Sequence, residues 1–216
     1  VLFEFDVSEK VVIVTGGGAG LGKEIARAFV QRGSYIVIVG RRASALEETM
    51  EEFGGDKEQI LTVKADVTKR GEVDSMTDKV LRKFGRADVL INNAGVNIVK
   101  PFLDLTETEW DTVIDTSLKG LFNCCQAIGR GMVEKRSGTV INMTSVFGLV
   151  GLTNISHYVT SRGGIVQFTK ALAIEWGRKN IRVNAIAPSY IRAGQGFSII
   201  ESDPNILQMN LRNIPM

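Results

Sequence analysis

Cysteine is nearly absent: the only two, Cys124 and Cys125, are adjacent. Neighbouring thiols cannot staple distant parts of a fold, and a tetrahedral zinc site would lack its other ligands. The single histidine, His157, narrows metal chemistry further. Net charge is also scarce, because 26 basic and 24 acidic side chains leave a formal +2. That balance gives no electrostatic footprint for nucleic acid or for an anionic membrane surface. No apolar run approaches the roughly 20 residues that span a bilayer, and the first residues lack a signal-peptide pattern. The expectation is a cytoplasmic protein with no metal, no nucleic acid and no membrane among its partners. Linkers, low-complexity tracts and repeats of 20–50 residues are missing too.

What is present begins with Val11 to Gly22, where four apolar β-formers run into a glycine cluster and then into a helical pattern. Strand, glycine turn and helix open a nucleotide-binding βαβ unit. Gly16, Gly20 and Gly22 carry no Cβ, so the turn is tight and a pyrophosphate can approach the backbone. The helix from Leu21 then presents free N–H groups and its positive dipole end to that phosphate. A P-loop is excluded: Gly17, Gly22 and Lys23 match its pattern, but Glu24 stands where a magnesium-binding hydroxyl belongs and would repel phosphate. The pattern present is T-G-x-x-x-G-x-G, from Thr15 to Gly22.

With 44% hydrophobic residues, 216 residues suffice for one sizeable core, so one domain over 1–216 is expected. Further buried strands are read at Tyr35–Val39, Ile60–Lys64, Asp88–Ile91, Thr139–Met143 and Arg182–Ile186. Capping-box patterns at Ser44 to Glu47 and Thr106 to Glu109 open helices, the second running to about Lys135. One helix ends near Gly85, and another spans about His157 to Gly177, with His157 at the helix start or pocket rim. Strict β/α alternation predicts an α/β fold: a doubly wound parallel sheet of Rossmann type, in three layers, with six strands. Ligands of such sheets bind beyond the carboxyl strand ends, where Gly16, Arg41, Asp66, Asn93, Ser145 and Pro188 fall.

With these residues in place, the sequence resembles the short-chain dehydrogenase/reductase family, near its ketoacyl-thioester and sugar reductase branch. The resemblance rests on Thr15 to Gly22, on Asn92-Asn93-Ala94-Gly95, on Ser145 with Tyr158 thirteen residues later, and on Arg182-Val183-Asn184 leading to Pro188. It implies hydride transfer between NAD(P) and a small-molecule carbonyl or secondary alcohol. Tyr158 would be acid or base and Ser145 would orient the substrate oxygen. The glycine loop (Gly16, Gly18, Gly20, Leu21, Gly22) would hold the pyrophosphate. Asp66 and Val67 would lie by the adenine, and Asn93, Ala94 and Gly95 would line the ribose wall. Pro188, Ser189 and Ile191 would lie near the nicotinamide. Homodimers or homotetramers, paired through the helices near Thr106–Lys135 and His157–Gly177, are implied as well.

Four positions depart from the family pattern. Arg162 replaces a lysine four residues after the tyrosine, on the same helical face, where a cation favours tyrosinate and binds the nicotinamide ribose. Ser117 replaces the family's catalytic asparagine, Ser189 follows Pro188 in place of glycine, and Ala193 replaces a threonine. These departures keep a second reading open: a dinucleotide-binding relative with impaired catalysis that acts through binding or assembly. Gly40-Arg41-Arg42 ends the second strand without the carboxylate that accepts from an NAD ribose, and two guanidiniums suit a 2′-phosphate. NADP(H) is therefore expected as the preferred cofactor, with NAD(H) possible. The substrate loop, 188–216, carries Phe197, Ile199, Ile200, Ile206, Leu207 and Met209, which suggests an apolar or amphipathic substrate. The resemblance also implies a further helix and strand after the sixth; the sequence as given ends without them, so an incomplete sequence is expected.

Overall fold

The computed structural model describes residues 6–191. Strands β1 (Val11–Thr15), β2 (Tyr35–Gly40), β3 (Ile60–Lys64), β4 (Val89–Asn92), β5 (Gly138–Met143) and β6 (Ile181–Ile186) form one parallel sheet in the order β3-β2-β1-β4-β5-β6. This is the doubly wound Rossmann order, with its switch point between β1 and β4. Among the described residues β6 pairs only with β5 and forms an edge of the sheet.

The sheet is covered on both faces, which is why its central strands read as unbroken apolar runs. Period-2 alternation divides them. Val11, Ile13, Val37, Val39, Leu90, Val140 and Val183 face α3 (Arg70–Phe84), α5 (Gly120–Lys135) and α6 (Ser156–Gly177). Val12, Val14, Ile36, Ile38 and Ile91 face α1 (Gly20–Val30) and α2 (Ala43–Glu52). Each such fully buried side chain contributes about 1.5–3 kcal/mol relative to exposure, so register is strongly specified.

Two local expectations need correction. Ser44 to Glu47 is not a capping box: α2 already begins at Ala43, and its cap is Arg42, which makes no side-chain capping bond. The box at Thr106 does form. Thr106 N donates to Glu109 Oε2 at 2.9 Å, and Glu109 N donates to Thr106 Oγ1 at 3.3 Å. The helix opened there is not uniform either. After α4 (Glu107–Ile114) the backbone forms a π-helical segment, Asp115–Lys119, before α5. Such bulges cluster at functional sites, and this one carries Ser117. Among the described residues no helix is long and apolar enough to cross a membrane.

Candidate active site

The β1–α1 turn is built around close backbone approaches. Gly16 and Gly20 adopt positive φ, +68° and +53°. Gly22 lies against the turn itself: a Cβ there would stand 2.3 Å from Gly16 O and 2.5 Å from Asn93 Nδ2. Gly18 rests on Leu46 of α2, and Leu21 packs into the α1-side core. The first turn of α1 has no acidic residue, and its cap, Ala19, offers no side-chain acceptor. Its N–H groups and dipole are therefore available to an anion.

Thr15 locks this turn to the end of β4, a role that the sequence reading missed. Its Oγ1 accepts from the N–H groups of Asn93 and Ala94, both at 3.0 Å, while Asn93 Nδ2 donates to Thr15 O at 3.0 Å. A threonine ending an otherwise aliphatic strand was the available signal. Thr15 and Asn93 thus join the two strands flanking the switch point.

Around the rim, Arg41 and Arg42 are exposed, and among the described residues neither enters an ion pair or a side-chain hydrogen bond. Asp66 Oδ1 accepts from Thr68 N and Oγ1, both at 2.9 Å. Val67 is buried against Gly120, and its carbonyl accepts from Asn123 Nδ2 at 2.9 Å.

At the next strand end, Ser145 is buried and caps a short 3₁₀ turn, its Oγ accepting from Phe147 N at 3.2 Å. The same hydroxyl makes a long contact, 3.5 Å, to Pro188 O, and Val146 N donates to that carbonyl at 3.1 Å. The segment after β6 therefore docks beside Ser145. Pro188 is half-buried, while Ser189 and Ile191 are exposed. Ala193 and the apolar residues from Phe197 to Met209 lie outside the described residues.

Tyr158 and Arg162 are one turn apart on α6. The guanidinium carbon of Arg162 lies 4.6 Å from the Tyr158 ring centroid. Arg162 is only 7% exposed; Nη1 donates to Met143 O at 2.9 Å, and Nε has no partner. Its other edge rests on Gly95, where a Cβ would stand 2.4 Å from Nη2. One side chain thus links the ends of β4 and β5 to the helix of Tyr158. Glycine at 95 is what leaves room for it. Thr144 Oγ1 donates to Arg162 O at 2.8 Å and fixes the helix against the end of β5, two residues before Ser145.

Ser117 is buried with an unpartnered Oγ, on a segment that packs against α6 through Leu118 and Gly164. His157 is fully buried at the start of α6; no part of it forms a pocket rim, which corrects half of the sequence expectation. A cleft of about 440 Å³ opens at the opposite, amino end of the sheet between Tyr35, Lys83 and Arg86. It contains no glycine cradle and none of the residues above.

A parallel sheet with a glycine turn at its switch point defines a dinucleotide-binding α/β protein. The short chain dehydrogenase family model matches residues 10–201. The chain is 38% identical over 185 residues to the 3-oxoacyl-acyl-carrier-protein reductase of Chlamydia muridarum, covering 84% of this chain and 74% of that protein. It is 36% identical over 189 residues to D-threitol dehydrogenase of Mycolicibacterium smegmatis, covering 88% and 73%. The crystal structure of NAD⁺-bound xylitol dehydrogenase superposes with a TM-score of 0.91 at 29% identity, covering 98% and 87%. The chain belongs to the short-chain dehydrogenase/reductase family and is an NAD(P)-dependent oxidoreductase acting on small molecules.

Proposed function

We propose that residues 1–216 form one domain that reduces a carbonyl, or oxidises the matching secondary alcohol, with NADP(H) as preferred cofactor and Tyr158 as acid/base. The observation that carries this reading is the stacked Tyr158–Arg162 pair, bonded to Met143 O two residues before Ser145. When bound, the nicotinamide supplies or accepts the hydride. Tyr158 gives its hydroxyl proton to the substrate oxygen, or takes it back in the oxidative direction. Ser145 Oγ donates to the same oxygen, and the long Pro188 contact leaves that donor free to turn. Arg162 keeps a permanent positive charge over the Tyr158 ring, 4.6 Å from its centroid, and holds that ring in place. Its Nη2, which lies beside Gly95 and makes no hydrogen bond among the described residues, is the donor left for the ribose. Ser117, on the π segment, is the neighbouring hydroxyl left for a relay water.

The dinucleotide fits the residues present: the cradle between Gly16 and Gly22 is the space that a Cβ would fill. Gly18, Gly20 and Leu21 complete the pyrophosphate turn, with Asp66 and Val67 beside the adenine and Asn93, Ala94 and Gly95 along the ribose. Pro188, Ser189 and Ile191 lie on the nicotinamide side. Arg41 and Arg42 would bracket the 2′-phosphate, since both are exposed and, among the described residues, enter no ion pair. NADPH is expected to bind at least about tenfold tighter than NADH, and the double variant Arg41→Ser/Arg42→Ser to lose most of that margin. Isothermal titration of both dinucleotides checks this; equal affinities in the parent chain would remove the preference.

A homodimer or homotetramer and a cytoplasmic location belong to the same proposal. Phe122 on α5 and Ile174 on α6, both exposed, support pairing through these helices. Light scattering is expected to return a multiple of the chain mass, and a monomer mass would overturn it.

A further inference from the structure

His157 immediately precedes Tyr158, yet no reaction step above uses it. Its imidazole is completely shielded from solvent. It faces the Ile98 carbonyl on the loop after β4 and the Glu109 carboxylate on α4, but neither ring nitrogen completes a hydrogen bond. Burying an imidazole without partners is costly, and an apolar side chain of the same size would fill the space without that cost. Space-filling alone therefore does not account for it.

The three elements around it are tied together. Lys100 N donates to Asn154 O at 2.8 Å, joining the β4–α4 loop to the approach of α6. Lys100 Nζ contacts both carboxylate oxygens of Glu109 at 2.9 Å. Backbone donation from Thr106, then Lys100 and the Thr106 hydroxyl, holds Glu109 down at about 2, so it stays ionised. His157 is the part of this junction that lies on α6.

We propose that His157 is a positioning residue: as neutral imidazole it closes on the Ile98 carbonyl and holds the first turn of α6, and so Tyr158, against the β4–α4 loop. The inference rests on Tyr158 acting as acid/base. One ring N–H suffices for this bond, and the second nitrogen makes no hydrogen bond among the described residues, so a proton added there would bring a buried charge that no hydrogen bond satisfies. Burial, the largest influence, lowers the imidazole pKa, while Glu109 and the Ile98 carbonyl act in the opposite sense. The charged or titratable groups around it are Glu109 on α4, Lys100 on the loop, and Tyr158 and Arg162 on its own helix. Because the folded value lies below the unfolded one, this group's stabilising contribution is present above the ordinary pH 6.5 and is lost as pH falls through the folded value. Protonation would add a donor inside a sealed junction and loosen the first turn.

The test uses the full chain with saturating NADPH and a carbonyl that it reduces. His157→Phe is expected to lower kcat about tenfold to a hundredfold while NADPH affinity changes by less than about twofold; His157→Gln, which keeps a donor, recovers most of the rate. In the parent chain, kcat falls on acidification in step with the NMR titration of this one histidine, and His157→Gln loses that limb. Parental kcat and an unchanged acid limb in His157→Phe would overturn the proposal. Should both variants fail to fold, an imidazole titration in the parent that does not track the acid limb overturns it. Tyr158→Phe separates the two ideas. An inactive Tyr158→Phe beside an unimpaired His157→Phe defeats only the positioning role, whereas an active Tyr158→Phe defeats the tyrosine reading itself.

Discussion

Tyr158→Phe is expected to lower kcat/KM by about 10²–10⁴, a loss of roughly 3–5.5 kcal/mol of transition-state stabilisation. The substitution removes one oxygen and keeps the ring. The ring is what Arg162 stacks on, at 4.6 Å, an attraction of about 1–2 kcal/mol when partly buried. Arg162 should therefore keep its bond to Met143 O and its place over Gly95, leaving NADPH affinity and melting temperature near those of the parent. A fall in kcat without a fall in binding identifies a group used in the transition state. Retention of a tenth or more of the parental rate would exclude the phenol as acid/base. A parent chain that binds NADPH but turns over no carbonyl would instead favour the impaired-catalysis reading raised by Arg162 and Ser117.

What the sequence made legible follows from where the information is local. The strands were readable because a sheet covered on both faces demands continuous runs such as Val11–Val14 and Tyr35–Val39. Serine–tyrosine spacing pointed to a candidate site, because a strand's carboxyl end and the start of the helix that follows it are both legible from local pattern. The π segment was not readable, since the apolar pattern runs through Asp115–Lys119 and the change lies in the hydrogen-bond ladder. Nor could pattern alone separate Ser44 from Thr106: both match the capping signature, but Arg42 already holds the cap of α2. Arg162 was found as a charge, but its orientation depends on a carbonyl from β5 and on the missing Cβ of Gly95, both remote in sequence. The same holds for His157, whose burial is imposed by a loop nearly sixty residues earlier.

Gly22→Ala should have the largest effect on binding, because the clash is with main chain. The new Cβ would stand 2.3 Å from Gly16 O, and that carbonyl cannot retreat freely: Asn93 Nδ2 holds the adjoining Thr15 O, and Thr15 Oγ1 in turn holds the Asn93 and Ala94 N–H groups. Relief requires opening the β1–α1 turn or breaking the Thr15–Asn93 lock, at about 1–3 kcal/mol for an overpacked site. Either response displaces the N–H groups proposed to face the pyrophosphate. NADPH affinity is expected to fall by about a hundredfold, or roughly 2.7 kcal/mol, together with a lower melting temperature. Gly131→Ala is the matched control: this glycine lies in α5 with nothing within 4 Å of the added Cβ, and alanine there should stabilise by about 0.5–1 kcal/mol without touching affinity. Opposite signs from one chemical change separate helix propensity from the cradle. If Gly22→Ala binds NADPH as the parent does, the pyrophosphate does not lie on this turn, and the assignments built outward from it, from Arg41 to Gly95, lose their anchor.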